Sequence, residues 1–214
     1  REAAANPLHC LVYLSFARWG LSKGAELALT AGSLLPGLVN AVVAVSPINT
    51  VCQGFVMKRG IAVAPGSTWS FHGEEVPYTG FGLEKFPLGH VLRKSVMARE
   101  VTMYDLYLPL VKSPDPAAAI RAEEITGPLL LISSRMDTMW PSTEAAERIM
   151  ARLREKRFSY ACEHLCYDHG CHLFVPMELR LAKFFKGDRG KNRGLGRRAR
   201  MDSLIKTLEF VSQW

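Results

Sequence analysis

Three runs of apolar residues in this chain are continuous, not alternating: 11–16 (Leu-Val-Tyr-Leu-Ser-Phe), 38–47 with its Val-rich centre, and 127–134 (Gly-Pro-Leu-Leu-Leu-Ile-Ser-Ser). Short continuous runs of this kind mark strands covered on both faces, as in a parallel sheet. A fourth strand is predicted at 158–165. Helical stretches lie between and after these runs. Residues 25–31 are rich in helix formers and end near Gly32 to Gly37; 143–156 follows the third strand. The closing segment carries apolar residues at 201, 204, 205, 208 and 211, a helical stripe predicted to pack on the sheet. This order reads as an α/β fold, a three-layer sandwich with a mostly parallel sheet.

Residues 48–126 break the pattern. Turn signals recur at Pro65-Gly66, Pro77, Gly80, Gly82, Pro87-Leu88-Gly89 and Pro114-Asp115-Pro116, and Trp69, Phe71, Tyr78 and Phe81 supply aromatic surface. A long, weakly periodic segment between core strands reads as a cap-like excursion over a site, or as a peripheral hairpin. A helix at 117–125 is expected to lead back into the core. The chain has 214 residues, enough for one domain with a substantial core, and no apolar run approaches the ~20 residues of a membrane-spanning helix.

Chemistry enters at Trp19-Gly20-Leu21-Ser22-Lys23-Gly24-Ala25-Glu26. Gly-x-Ser-x-Gly between a strand and a helix is the pattern of a nucleophile elbow, a sharp turn that projects a serine hydroxyl. Gly20 and Gly24 are the small neighbours expected to let strand and helix approach. The competing reading is a glycine-bounded turn with an ordinary serine. The run from Gly20 to Leu29 resembles the elbow of the acyl-CoA thioesterase / bile acid-CoA:amino acid N-acyltransferase C-terminal domain, and its Ser-Lys-Gly-Ala-Glu core is far more specific than the generic motif. That resemblance implies an α/β-hydrolase fold and a serine hydrolase acting on acyl-CoA thioesters, with Ser22 as nucleophile and the backbone N–H of Lys23 as an oxyanion donor.

Two later segments carry the resemblance further. Asp137 follows the third strand directly, in Asp-x-x-Trp spacing, where the family places its triad acid. Otherwise it is a loop aspartate or a cap of the next helix, a role better filled by Ser142. His172-Leu173-Phe174-Val175-Pro176 matches the family's histidine loop, an apolar run ending in proline; His169 competes with His172 for the role. The order Ser22, Asp137, His172 is the α/β-hydrolase order. Serine, where some family members have cysteine, favours water over an amino acid as acceptor. A general carboxylesterase or peptidase of the same fold, or a non-catalytic module, are the other readings. The partner implied is a small-molecule acyl-CoA or ester, with no cofactor.

Charge and cysteines change the picture only locally. The net charge is +7, and the segment 183–200 alone carries +7, with Asp188 its single acid. Four glycines and no apolar period predict a solvated loop at 186–200; it could meet coenzyme A phosphates, but it lacks the stacking aromatics of a nucleic-acid surface. Cys162, His164, Cys166, His169, Cys171 and His172 fall within eleven residues. Structural zinc more often uses two separated ligand pairs, so reduced thiols are the expectation. Five cysteines at irregular spacing and the lack of a leader-like start suggest a cytoplasmic protein. Twenty-one residues precede Ser22, room for little more than one strand. The chain is therefore expected to be an incomplete hydrolase domain, lacking the second oxyanion donor and weakly active by itself.

Overall fold

The structure, a computed structural model, describes residues 17–57, 61–83, 87–175 and 183–213. The expected strand at 11–16 lies outside these, as does Pro176. The strand that enters the elbow is β1 (Ala17–Leu21), followed by α1 (Lys23–Leu34) and β2 (Ala41–Val45). The excursion comes next and is more ordered than its pattern suggests. It holds two hairpins, β3 (Gln53–Met57) with β4 (Ile61–Ser67) and β5 (Ser70–Phe71) with β6 (Glu74–Glu75), then helices α2 (Leu88–Ala98) and α3 (Tyr104–Lys112). The α3 sequence hides its helix because Pro109 lies inside it. The helix expected at 117–125 shrinks to one 3-10 turn, Ala122–Glu124. Backbone groups just before it are taken by a strand-like pairing: Val51 N–H donates to Ala118 O at 2.9 Å and Ile120 N–H to Asn49 O at 3.1 Å.

The chain returns to the core through β7 (Leu129–Ser134), α4 (Ser142–Glu155), β8 (Cys162–Tyr167) and α5 (Arg193–Ser212). The four core strands pair in the order β1-β2-β7-β8, all parallel. Period-two geometry explains why β2 and β7 are continuously apolar. Val42, Ala44, Leu129 and Leu131 face the layer of α1 and α4, where they meet Ala25, Leu29, Ile149 and Leu153. Val43, Val45, Leu130 and Ile132 face the opposite side, against Phe174, Ala199 and Phe210. Burying each Leu or Ile contributes about 1.5–3 kcal/mol, and this sheet is covered on both faces along its two central strands.

Two expectations about the C-terminal segment are corrected. The basic stretch is not a loop throughout: it forms 3-10 turns at Lys186–Asp188 and Gly190–Asn192, and α5 begins at Arg193. Of the stripe expected to pack on the sheet, Leu204 alone is half-buried. Met201, Ile205, Leu208 and Val211 are exposed, whereas Gly196, Arg200 and Ser203 are buried and Phe210 packs against the core. The inward face is set by small residues and by a buried arginine, which an apolar count does not register. Among the described residues, no helix is long and apolar enough to cross a membrane.

Candidate active site

Ser22 stands between β1 and α1 with φ 59° and ψ −123°, a conformation that an L-residue holds only under constraint. The constraint is visible. Its N–H donates to Val45 O of the neighbouring strand at 2.9 Å, and its carbonyl accepts from Ala25 and Glu26 at 2.9 and 3.1 Å. Close approach falls on one glycine of the motif: a side chain on Gly20 would overlap the Gly24 carbonyl, whereas one on Gly24 would meet none of the described residues within 4 Å. The expectation that both glycines are needed for packing is thus corrected to Gly20 alone. The Ser22 hydroxyl makes no capping bond to the helix it precedes.

That hydroxyl lies 2.7 Å from His172 Nε2. On the other side of the ring, His172 Nδ1 lies 2.9 Å from Asp137 Oδ2 and 3.1 Å from Oδ1. A carboxylate can only accept, so Nδ1 carries the proton and Nε2 of the neutral ring is left to accept from Ser22. Both Asp137 and His172 are buried. Asp137 is held by more than the histidine: its Oδ1 accepts from the Met139 N–H at 3.0 Å, and its Oδ2 accepts from the Ser142 hydroxyl at 2.6 Å. Ser142 was expected to cap the following helix. It is instead the first residue of α4, behind Pro141, and turns its hydroxyl to Asp137. The structure brings Ser22, Asp137 and His172 together and leaves His169 outside this arrangement, its Nδ1 buried and without a hydrogen-bond partner among the described residues.

Three contributors escaped the sequence reading. Ser46, at the end of β2, adopts φ 48° and donates its hydroxyl to His172 O at 2.8 Å. Trp140 donates Nε1–H to Ser46 O at 3.0 Å and sets its ring edge-on to His172, centroids 5.0 Å apart. The Asp-x-x-Trp spacing was the available sign of Trp140; nothing in sequence marked Ser46 beyond a small polar residue ending a strand. Glu26 is the third. It is fully buried one turn after Ser22, and accepts from Lys23 Nζ at 2.6 Å, Trp69 Nε1 at 2.8 Å and the Cys52 N–H at 3.3 Å. Burial raises its pKa, with the Lys23 ammonium opposing. Through Glu26 the excursion is tied to the elbow. Lys23 itself opens α1, so its N–H is one of those without a carbonyl partner inside the helix, beside Ser22.

The Cys/His stretch finds other partners. His164 Nε2 lies 2.8 Å from Ser133 Oγ, Cys166 Sγ lies 3.9 Å from Thr143 Oγ1, and Cys171 is buried. Among the described residues no three His, Cys, Asp or Glu side chains converge as metal ligands.

Known structures similar to this chain include MGS-M1, an alpha/beta hydrolase enzyme from a Medee basin deep-sea metagenome library, at 13% identity and a TM-score of 0.39; the match covers 90% of this chain and 54% of that one. Methylesterase MES16 from Arabidopsis is similar at 17% identity and a TM-score of 0.34, over 95% of this chain and 75% of that one. Dipeptidyl peptidase 4 from Porphyromonas gingivalis follows at 12% identity and a TM-score of 0.40, covering 86% of this chain and 19% of that one. The chain therefore spans about a fifth of the peptidase and about half of MGS-M1. No curated protein sequence matches it. The family described as BAAT / Acyl-CoA thioester hydrolase C terminal matches residues 15–178, a span that holds the elbow, the four-stranded sheet, Asp137 and His172. On that match the chain belongs to the BAAT / acyl-CoA thioester hydrolase C-terminal family, a hydrolase family of α/β architecture.

Proposed function

We propose that this chain hydrolyses acyl thioesters of the acyl-CoA type through a serine-bound acyl intermediate. The observation that carries the reading is the line Ser22 Oγ, His172 Nε2, His172 Nδ1, Asp137 Oδ2, with contacts of 2.7 and 2.9 Å. His172 removes the proton from Ser22 Oγ as that oxygen attacks the thioester carbonyl carbon, and Asp137 holds the ring and stabilises the imidazolium that forms. The Lys23 N–H donates to the oxyanion of the tetrahedral intermediate. Collapse of that intermediate breaks the C–S bond, and the leaving sulfur takes the proton held by His172. A water then attacks the acyl-Ser22 ester with His172 as base, which releases the carboxylic acid and restores the hydroxyl.

The family supports the thioester class, and the geometry supports Ser22 as nucleophile, His172 as base and Asp137 as acid. The test is hydrolysis of a panel of acyl-CoA thioesters and p-nitrophenyl esters by the chain beside Ser22→Ala. Turnover that prefers CoA thioesters and disappears in Ser22→Ala is expected. Ser22-dependent turnover of simple esters at equal rates would make the chain a general esterase. Turnover that persists in Ser22→Ala would remove Ser22 from the mechanism.

A further inference from the structure

The basic segment 183–200 reads from sequence as a mobile surface feature, yet its only acid and its last arginine are both buried: Asp188 is 4% exposed and Arg200 6%. They form an ion pair, Arg200 Nη1 with Asp188 Oδ1. The other carboxylate oxygen is turned to the histidine loop, where Asp188 Oδ2 accepts from the Cys171 N–H at 2.7 Å. Cys171 is the residue before His172. One residue earlier, the Gly170 N–H donates to Gly187 O at 3.2 Å, and Ser134 Oγ donates to Gly170 O at 2.8 Å. Gly170 takes φ 114°, which glycine alone adopts freely, so the turn needs fixing from outside.

The packing is close on both sides of the pair. A Cβ on Gly187 would overlap the Gly170 carbonyl, and one on Gly196 of α5 would stand 2.5 Å from Asp188 Oδ1 and 2.6 Å from Gly187 O. Glycine at these positions lets the 3-10 turn Lys186–Asp188 fit between the histidine loop and α5. Buried charge carries a large desolvation cost unless it is paired and hydrogen-bonded, and a single hydrophobic contact could hold the helix more simply. What the pair adds is a directed acceptor for one backbone N–H beside His172.

We propose that the Asp188–Arg200 ion pair is a positioning element for His172: α5 supplies Arg200, Arg200 orients Asp188, and Asp188 fixes the 170–172 turn so that the imidazole spans Ser22 and Asp137. This rests on the triad reading above. Neither residue touches the reacting atoms. Displacement of a catalytic group by about 1 Å can cost roughly 10²-fold in rate, so a loosened turn is visible in kinetics before it is visible in the fold.

The experiment uses the full chain and compares wild type with Asp188→Asn/Arg200→Gln, which removes both charges and strands neither. Three quantities are read: the melting temperature, the second-order rate of Ser22 labelling by a fluorophosphonate probe, and the low-field Nδ1–H resonance of a histidine bonded to a carboxylate. The expected result is a variant folded at the assay temperature, labelled at least roughly tenfold more slowly, with the His172 resonance broadened or lost. A folded variant with wild-type labelling and an intact resonance overturns the proposal. Should the double variant melt below the assay temperature, Asp188→Glu decides on the same readouts, since it keeps the charge and shifts the acceptor from the Cys171 N–H. Slower labelling with an altered resonance supports the proposal, and wild-type values overturn it. Labelling of wild type that Ser22→Ala does not abolish would overturn the triad reading itself, a failure distinct from wild-type behaviour of the Asp188 variants.

Discussion

Gly20 and Gly24 are not equivalent: Gly20 is pressed against the Gly24 carbonyl, while a Cβ on Gly24 would meet none of the described residues within 4 Å. The strand-to-helix turn is therefore tight at its strand side only. Gly20→Ala is expected to destabilise the protein by about 1–3 kcal/mol, as overpacking does, and to slow Ser22 labelling by moving the elbow. Gly24→Ala, in the first turn of α1 with room for a methyl, is expected to stabilise by up to about 0.5 kcal/mol, less than the same change in a helix interior. Thermal melting of the two variants checks both signs, and a Gly24→Ala protein that melts lower would mean that its position is constrained by something other than packing.

Glu26 ties pH to stability. Burial raises its carboxyl above the ordinary 4.5, so the folded protein holds this proton more tightly than the unfolded chain does. Its favourable contribution is then fully present below 4.5 and is lost as pH rises through the higher folded value. Glu26→Gln removes the titration and keeps an acceptor for Trp69 and Cys52. Above pH 4.5 the melting temperature of wild type is expected to fall with pH relative to that of the variant. Parallel curves would show that Glu26 titrates alike in both states.

Cys171 sits beside the proposed base without the properties of a reactive thiol. Burial pushes it up to about 11, so at pH 8 the thiolate is on the order of one molecule in a thousand. Cys52 is raised as well, again chiefly by burial. Among the four described cysteines, native-state alkylation read by mass spectrometry is expected to modify the half-buried Cys162 and Cys166 first and to leave Cys52 and Cys171 untouched until the protein unfolds. Modification of Cys171 at the rate of an exposed thiol would mean that the histidine loop opens readily.

The parts legible in the sequence were those that obey a short-range rule. The doubly covered strands β2 and β7 show as unbroken apolar runs, and the elbow shows as Gly-x-Ser-x-Gly between strand and helix. Asp137 and His172 are proposed from resemblance and chain order, and the contacts Ser22 Oγ to His172 Nε2 and His172 Nδ1 to Asp137 support that proposal. The rest depends on partners far apart in the chain. Ser46 matters because β2 ends beneath His172, 126 positions away. Asp188 and Arg200 read as members of a solvated charge run because their burial follows from α5 docking, which local composition does not encode. Ser142 has the right residue type for a cap, but a carboxylate five positions back competes successfully for its hydroxyl.

The orientation of α5 makes the sharpest contrast between pattern and structure. The apolar positions 201, 205, 208 and 211 lie outward, and the core side is built from Gly196, Ala199, Arg200, Ser203 and the partly buried Phe210. Residue size explains this: the glycine and the small side chains let the helix backbone come close to the 3-10 turn that carries Asp188, an approach that a row of leucines would prevent. Substitutions should therefore divide by face and not by hydrophobicity. Leu208→Lys and Ile205→Lys are expected to change stability by less than about 0.5 kcal/mol, as surface changes do. Phe210→Ala removes a ring packed against the core cluster that Val43, Val45, Leu130, Ile132 and Phe174 form, and is expected to cost about 2 kcal/mol, less than a fully buried phenylalanine. Chemical denaturation of the three variants measures this directly. A loss from Leu208→Lys as large as that from Phe210→Ala would show that the outward stripe is covered, and the helix would have to be turned about its axis from the orientation described.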